Sequence, residues 1–196
     1  MKYQVIHVTG GVRNTMSGVQ SFIKNHIPNN DQEFEYMVGE SNGDAHFPFN
    51  QYLDEKEIKR IVFPALKISK LFAYARECRQ FYENNKIDIL HVHNPITAFI
   101  HNYYAQKNGV PVRIYHNHSS QFSDTWLKSI RNRFLVFLAL KNATHRISCG
   151  QLAGLKIFGK KSFQILPNAI DINKYRFSPT FREEIRKEFH IAEYQK

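Results

Sequence analysis

Two His-x-His pairs are the residues of this chain whose type and spacing could do chemistry. His91 and His93 end one β-branched apolar run, and His116 and His118 end another. Side chains two apart on a strand point to the same face of a sheet, so each pair presents two imidazole rings together. Imidazole can bind a metal ion, hydrogen-bond a phosphate or a sugar hydroxyl, or act only as a buried structural group. The spacing alone leaves these three roles open.

Metal binding is the least favoured of the three roles. The carboxylate ligands expected beside such histidines are not clustered, since Asp88 precedes the first run and Asp124 lies beyond the second. The sequence therefore predicts no metal site and no cofactor. Hydrogen bonding to a phosphate or a sugar hydroxyl is favoured over metal binding. A structural role is favoured further for His91 and His93, because their strand has the composition of a buried one.

The elements that must position these histidines form a βαβ unit. Each histidine run is bounded by Gly or Pro, as buried strands commonly are. The segment 96–108 is long enough for the crossover that two parallel strands require. Both pairs then fall at the carboxyl ends of their strands, where open parallel sheets place their ligand crevice.

Strands and helices alternate along the rest of the chain, which predicts an α/β fold with a doubly wound, mainly parallel sheet. Further strands are predicted at 3–8, 33–38, 58–63, 143–149 and 163–166, and helices from 19 and at 65–85, 126–142, 151–158 and 181–189. Residues 40–57 are predicted to be a loop. An apolar stripe on the second of these helices is predicted to lie in the core, and its members are Ile68, Leu71, Phe72, Ala75 and Cys78.

A glycine-rich turn follows the first predicted strand and contains Gly10, Gly11 and Gly18. Such a turn lets backbone N–H groups approach an anion at the start of the next helix. Its spacing is not that of the dinucleotide fingerprint G-x-G-x-x-G. A tight turn that needs positive φ explains the glycines equally well, so both interpretations stay open.

A formal net charge of +10 over 196 residues indicates an anionic partner, either nucleic acid, an anionic membrane or a phosphorylated substrate. Nucleic acid is not supported, because the sequence has no recognition-helix or RNA-binding motif. No signal peptide or membrane-spanning segment is predicted, so we expect a cytoplasmic protein, attached at most to the inner face of the cell membrane. Cys78 and Cys149 are predicted to be core thiols in a reducing compartment.

A basic segment on and after the helix predicted at 126–142 has two interpretations. It contains Lys128, Arg131, Arg133, Lys141 and Arg146, with no acidic residue between them. A basic helix with an aromatic start can lie in a membrane interface. A helix that packs on the sheet and keeps a solvated basic side fits the turns 135–140 better, and both interpretations can hold for different turns.

Four features in this order resemble the amino-terminal half of the group 1 (family 4) retaining glycosyltransferases, especially bacterial enzymes that build capsular polysaccharide and exopolysaccharide. They are the glycine loop, the run 88–93, the run 109–118, and the segment 166–171, which is similar to the family's Pro-Asn-Gly-hydrophobic-Asp signature. The resemblance covers essentially the whole chain, and it depends on the order and spacing of motifs that are individually short.

The resemblance implies a GT-B enzyme, in which two Rossmann-like domains face each other across a cleft. Residues 1–177 correspond to the amino-terminal, acceptor-side domain, and 178–196 to a terminal helix and the start of the linker. The donor-binding domain with its Glu-x7-Glu motif has no counterpart, so we expect half of a transferase, inactive as this fragment. The alternatives are a non-catalytic module that binds a glycan or lipid and, less favoured, a metal-dependent hydrolase.

The resemblance also implies roles for individual residues. His118 or His116 corresponds to the histidine that contacts the transferred sugar, and is the expected catalytic residue. The donor is a nucleotide-sugar held through the other domain, the acceptor is a polysaccharide or lipid-linked sugar, and neither a metal nor a protein nucleophile is required. Ala169 stands where the family usually has Gly. The expected substrate-binding residues are Gly10, Gly11, Gly18, His93, Asn94 and Asn168.

Overall fold

A seven-stranded, all-parallel sheet organises the part of the chain that the computed structural model describes, which is residues 2–11, 15–27, 32–41, 46–168, 170, 172–173 and 175–192. The strands lie in the order β3-β2-β1-β4-β5-β6-β7. Their bounds are β1 Tyr3–Val8, β2 Phe34–Glu40, β3 Lys59–Val62, β4 Ile89–Val92, β5 Val112–Asn117, β6 His145–Ser148 and β7 Gln164–Ile165.

Helices cover both faces of the sheet. One face packs against α1 and α2, and the other packs against α3, α4 and α5, each with its own apolar core. The predicted α/β, Rossmann-like, doubly wound fold is therefore confirmed. The helix bounds are α1 Gly18–His26, α2 Pro48–Glu55, α3 Leu71–Asn84, α4 Pro95–Lys107, α5 Trp126–Asn142, α6 Gln151–Phe158 and α7 Pro179–Glu188, and a 3-10 turn at Ile68–Lys70 precedes α3.

The chain changes direction across the sheet between β1 and β4. It adds β2 and β3 on one side of β1, then returns to place β4 on the other side and continues outward to β7. His7 of β1 lies opposite His91 of β4 in this pairing. Open α/β sheets bind ligands at the carboxyl end of such a switch point. The histidine pairs therefore lie where the sheet topology favours a site.

Two side-chain caps fix the starts of the helices that leave this edge. Ser17 and Gln20 form a capping box at α1, in which the Gln20 backbone N–H donates to Ser17 Oγ and the Ser17 backbone N–H donates to Gln20 Oε1. At α4 the Ile96 backbone N–H donates to Asn94 Oδ1 over 2.8 Å, and Pro95 occupies the first helical position. Both helices thus begin beside the carboxyl ends of β1 and β4.

The predicted loop at 40–57 is wrong for its second half, because α2 occupies Pro48–Glu55. Pro48 starts this helix, where the missing N–H of proline costs no hydrogen bond. Phe49, Tyr52 and Leu53 follow at helical spacing and are buried. Residues 42–45 of the predicted loop lie outside the described residues.

The predicted core stripe on α3 is confirmed for Cys78 and wrong for Leu71 and Phe72. Leu71 and Phe72 are 38% and 91% exposed, whereas Tyr74, Cys78 and Phe81 are buried. The tyrosine is buried because its hydroxyl has a partner inside the protein, His101 Nε2 at 2.8 Å. The Ile68 side chain, Ala169 and Asp171 lie outside the described residues.

The two cysteines are not disulfide-bonded, and Cys78 is buried whereas Cys149 is half-buried. Among the described residues, no helix combines the length and the apolar character needed to cross a membrane.

Candidate functional site

Five histidines from three adjacent strands meet at the carboxyl edge of the sheet. Each belongs to a strand or directly follows one. Neighbouring rings lie close, with centroids 4.3 Å apart for His91 and His93 and 4.0 Å apart for His116 and His118. The prediction that each His-x-His pair shares a face is confirmed. The members of this histidine cluster are His7 of β1, His91 of β4 and His93 after it, and His116 of β5 and His118 after it.

Alternation along each strand and the β1–β4 register bring the fifth ring, His7, into the cluster. Its centroid lies 4.8 Å from that of His91, its cross-strand neighbour. Phe22 of α1 packs against the cluster, and its ring centroid lies 5.0 Å from that of His116 and 5.4 Å from that of His118. Sequence reasoning missed His7 as a site residue, although its place at the end of a first strand before a glycine loop was the available signal.

Hydrogen bonds link three of these rings to the segment after β7. His7 Nδ1 lies 3.0 Å from His93 Nε2, and His93 Nδ1 lies 2.9 Å from His118 Nε2. His118 Nδ1 lies 3.2 Å from Asn168 Oδ1. His91 Nε2 pairs separately with His116 Nδ1 at 3.1 Å. The fold thus brings together three predicted site residues that are far apart in sequence, namely His93, His118 and Asn168.

The two expected catalytic histidines differ in accessibility. His116 has no exposed surface, and His91 and His93 are each 5% exposed. His118 is half-buried, and its Asn168 partner is exposed. Of the two candidates, only His118 can touch a ligand without rearrangement of the sheet edge.

Burial keeps the histidine cluster neutral. It lowers the pKa of His7 to about 3 and that of His116 to about 2, and neighbouring histidines add to the effect in both cases. The pKa values of His91 and His93 also lie well below the ordinary value, mainly through burial. Burial lowers the pKa of His118 as well, while its hydrogen bond to Asn168 acts in the opposite direction. At neutral pH each ring therefore has one N–H donor and one acceptor nitrogen.

Two groups of three histidines could offer nitrogen atoms to a metal ion. One consists of His7, His91 and His93, and the other of His93, His116 and His118. Within each group the candidate ligand atoms lie within 4.8 Å of one another. Neutral imidazoles are suitable donors, but neither group contains a carboxylate. The paired nitrogens at 2.9 to 3.1 Å have hydrogen-bond spacing. Nitrogens around a tetrahedral ion, each about 2.0–2.1 Å from it, lie roughly 3.4 Å apart. The absence of a metal at these histidines stays a prediction.

The glycine loop contacts the start of α4. A Cβ on Gly10 would lie 2.6 Å from Asn94 Nδ2, so any other residue at this position requires the Asn94 side chain to shift. Neither Gly10, Gly11 nor Gly18 has a positive φ, so the positive-φ interpretation of these glycines is wrong. Gly18 is the first residue of α1, and nothing lies within 4 Å of its Cβ position. Of the three glycines, Gly10 therefore has the clearest structural requirement.

Another buried histidine, outside the histidine cluster, lies on the opposite face of the sheet and was missed from the sequence. His101 of α4 bridges two tyrosines of α3, with Nε2 2.8 Å from the Tyr74 hydroxyl and Nδ1 3.0 Å from the Tyr82 hydroxyl. Burial lowers its pKa to about 3. Because all of its neighbours belong to the core, this histidine has a structural role.

Helix α5 is apolar on two sides. Val136, Ala139 and Leu140 pack in the core, as predicted for a covering helix. A second set of large apolar side chains is exposed by 50% to 74%, and we call it the α5 surface: Trp126, Leu127, Ile130, Phe134 and Phe137. The covering-helix interpretation is therefore confirmed for the core residues, and the membrane interpretation of the exposed ones stays a prediction.

The α5 surface has basic neighbours and adjoins a groove. Among the described residues, no ion pair involves Lys128, Arg131, Arg133 or Lys141. Lys141 lies over the Phe137 ring at 4.9 Å. It also lines an apolar groove of about 400 Å³ between α3, α4 and α5, in which Phe72 and Tyr103 are exposed. A positively charged rim beside exposed apolar rings matches the composition expected of an interfacial surface.

Comparison with known proteins gives consistent matches. The family model described as Glycosyl transferase 4-like matches residues 42–149. "Putative glycosyltransferase EpsF" of Bacillus subtilis (strain 168) is 26% identical over 187 residues, which cover 88% of this chain and 46% of EpsF. The chain thus spans about half the length of this curated relative.

Two solved structures match almost all of this chain and about half of their own length. Anabaena Alr3699/HepE in complex with UDP and glucose superposes with a TM-score of 0.72 at 16% identity, over 97% of this chain and 51% of that protein. A glycosyltransferase from Rickettsia africae ESF-5 gives a TM-score of 0.66 at 12% identity, over 98% and 51%. At such identities these structures establish the fold, since one fold can support several reactions.

Proposed function

The chain belongs to the Glycosyl transferase 4-like family, and on that basis we propose that it forms the acceptor-side domain of a retaining glycosyltransferase. The enzyme moves a sugar from a nucleotide-sugar to a polysaccharide or lipid-linked acceptor. The resemblance to bacterial polysaccharide-building enzymes makes exopolysaccharide synthesis the favoured setting, with capsule synthesis as a related one.

The convergence of separate motifs at one sheet edge is the observation that carries this proposal. Gly10 contacts Asn94, and His93 connects through His118 to Asn168. These residues come from the ends of β1, β4, β5 and β7, so their meeting is a property of the fold. A single half-buried imidazole at this edge suits a sugar hydroxyl or phosphate oxygen.

His118 is the residue for which we propose direct contact with the transferred sugar. Its bond to Asn168 joins it to an exposed side chain, which a sugar hydroxyl or phosphate oxygen can replace. His116 supports it from within the sheet. The resemblance to retaining enzymes implies same-face attack assisted by the departing phosphate, so this proposal requires neither a protein nucleophile nor a metal.

The donor nucleotide is proposed to bind mainly to residues outside this chain. HepE, which was solved with UDP and glucose, is about twice as long as the region that matches this chain. We therefore expect the 196-residue chain to lack transfer activity alone and a UDP-sugar to be the donor class of the whole enzyme.

A transfer assay tests the proposed role of His118. The assay uses the whole enzyme that contains this domain, because the 196-residue chain alone is expected to be inactive, and incubates it with radiolabelled UDP-sugars and a lipid extract that contains acceptor. We expect His118→Ala to reduce kcat/KM roughly 100-fold or more, as loss of one transition-state hydrogen bond does. His145→Ala is the matched control, because His145 is exposed at the amino end of β6.

Two results would contradict the proposal. Wild-type activity in His118→Ala would exclude His118 from the site. Glycan or lipid binding by the whole wild-type protein without any transfer would instead support a non-catalytic binding module.

An anionic membrane is the proposed surface for the α5 face, which would place the protein peripherally on the inner side of the cell membrane. Exposed Trp126 and Phe134 supply apolar contact, and the neighbouring cations supply attraction. Each Lys or Arg near an anionic surface contributes about 1 kcal/mol. Three such residues therefore contribute at most about 3 kcal/mol, and salt should weaken the attraction because the Debye length falls to roughly 8 Å at physiological strength.

Liposome sedimentation tests this surface. We compare the wild type with a variant in which Lys128, Arg131 and Arg133 are Gln, using anionic and neutral vesicles at low and high salt. The matched control changes three exposed lysines away from α5, Lys56, Lys59 and Lys86, to Gln. Binding lost only in the α5 variant supports the membrane contact, whereas equal sedimentation of all three proteins would show that these cations are merely solvated.

A further inference from the structure

The three linked rings of the histidine cluster use almost all of their nitrogen atoms. Both nitrogens of His93 and both nitrogens of His118 lie within 3.2 Å of a polar partner. At His7, Nδ1 has a partner, whereas Nε2 is buried and has no hydrogen-bond partner among the described residues. The rings therefore form a linear hydrogen-bond chain, whose buried end is His7 and whose exposed end is the bond between His118 and Asn168.

The exposed end sets the direction of this chain. A carbonyl oxygen such as Asn168 Oδ1 only accepts, so His118 Nδ1 must carry the proton of that bond. In a neutral ring the other nitrogen, His118 Nε2, is then an acceptor and receives the N–H of His93 Nδ1. By the same reasoning, His93 Nε2 receives the N–H of His7 Nδ1.

The buried end independently favours the same direction. In this arrangement the atom without a partner, His7 Nε2, is a lone-pair acceptor. The reversed arrangement would place an unpaired N–H at that atom, inside the protein. Orphaned buried N–H groups are rarer in proteins than unpaired acceptors. Both ends of the chain therefore select one tautomer for all three rings.

We propose that His7 and His93 are positioning residues that hold His118 as the Nδ1–H tautomer and so present a hydrogen-bond donor at the carboxyl edge of the sheet. The group that receives this hydrogen bond is an oxygen with free lone pairs, such as a sugar hydroxyl or phosphate oxygen, and this part rests on the proposed function. It takes the place of Asn168 Oδ1. The opposite tautomer would present a lone pair, which repels a phosphate oxygen and could only accept a hydrogen bond from a hydroxyl.

Nitrogen NMR of the wild-type chain tests the proposal without any activity measurement. Long-range proton–nitrogen correlation of ¹⁵N-histidine protein at pH 7.5 distinguishes the Nδ1–H and Nε2–H tautomers ring by ring. We expect Nδ1–H for His7, His93 and His118. Assignment uses the spectra of single variants, and His101→Gln, on the opposite face of the sheet, should leave the His118 signals unchanged.

Variants of His93 and Asn168 then distinguish a role of His93 in positioning the His118 proton from a merely structural role. His93→Leu combined with Asn168→Ala removes both partners of His118, so His118 should shift toward the Nε2–H tautomer relative to Asn168→Ala alone. His93→Gln keeps a polar partner for His118 Nε2 and, with Asn168 in place, should leave His118 as Nδ1–H. Asn168→Ala changes only the exposed end, so the interior chain should hold His118 as Nδ1–H.

Several outcomes would overturn the inference. An Nε2–H tautomer at His118 in the wild type refutes it, and so does a His118 spectrum that is the same in Asn168→Ala and in the His93→Leu/Asn168→Ala double variant. If His93→Leu does not fold, the wild-type tautomers and the Asn168→Ala spectrum still decide the question. Because transfer is not measured, failure of the proposed enzymatic function would leave these readings unaffected.

Discussion

The core histidine His101 should make stability depend on pH in a way that one substitution can isolate. It is fully buried between Tyr74 and Tyr82, and its pKa is lowered from 6.5 to about 3. Because the folded-state pKa lies below the unfolded one, its stabilising effect is complete above about pH 6.5. That effect is lost as the pH falls below 6.5, since only the unfolded chain takes up the proton.

The magnitude follows from the two pKa values. Between pH 7.5 and 6.0 the unfolded histidine takes up enough proton to lower the free energy of unfolding by about 0.8 kcal/mol. His101→Gln removes this dependence of stability on pH. At pH 7.5 the substitution should lower the free energy of unfolding by roughly 1–3 kcal/mol, because the tyrosine hydroxyls are less well paired. The stability gap between wild type and variant should therefore shrink by about 0.8 kcal/mol over this range.

Urea denaturation followed by circular dichroism at pH 7.5, 6.5 and 6.0 measures the gap. The measurements stop at pH 6.0 because the four buried histidines of the cluster also lower the free energy of unfolding as the pH falls. Together with His101 they remove about 4 kcal/mol, a large part of typical domain stability. His145→Gln is the control and should parallel the wild type. Parallel curves for wild type and His101→Gln would refute the claim that the fold holds His101 neutral.

Three further predictions concern the sheet edge and the whole chain. Gly10→Ala should push Asn94 from its cap and lower stability by about 1 kcal/mol; in a double-mutant cycle with Asn94→Ala, simple additivity would contradict the contact. Elemental analysis of protein purified without a His-tag should find no stoichiometric metal after dialysis, and retained zinc, manganese or iron would revive the hydrolase alternative. The purified 196-residue chain should form no product with nucleotide-sugars and lipid-linked acceptor, and turnover would show that it holds a complete active site.

Local patterns in the sequence predicted most of the elements. The helix predicted at 126–142 and the strand at 3–8 have the observed bounds, because long apolar periodicity and Gly or Pro boundaries act on neighbouring residues. The pairing of rings within each His-x-His motif also followed from strand geometry. Helix α2 was missed because its short amphipathic segment lies in a polar stretch. The α3 stripe was misjudged because apolar Leu71 and Phe72 are exposed, whereas Tyr74 is buried with its hydroxyl bonded to His101.

The tertiary structure decided which histidines meet. His7 and His93 are 86 residues apart, and only the placement of β4 beside β1 brings their nitrogens to 3.0 Å. Strand order and register depend on packing between distant segments, which periodicity along the chain does not encode. The choice of His118 over His116 as the accessible ring has the same origin. His116 lies within β5 beneath Phe22, whereas His118 lies just past the strand, where its ring reaches the edge of the sheet.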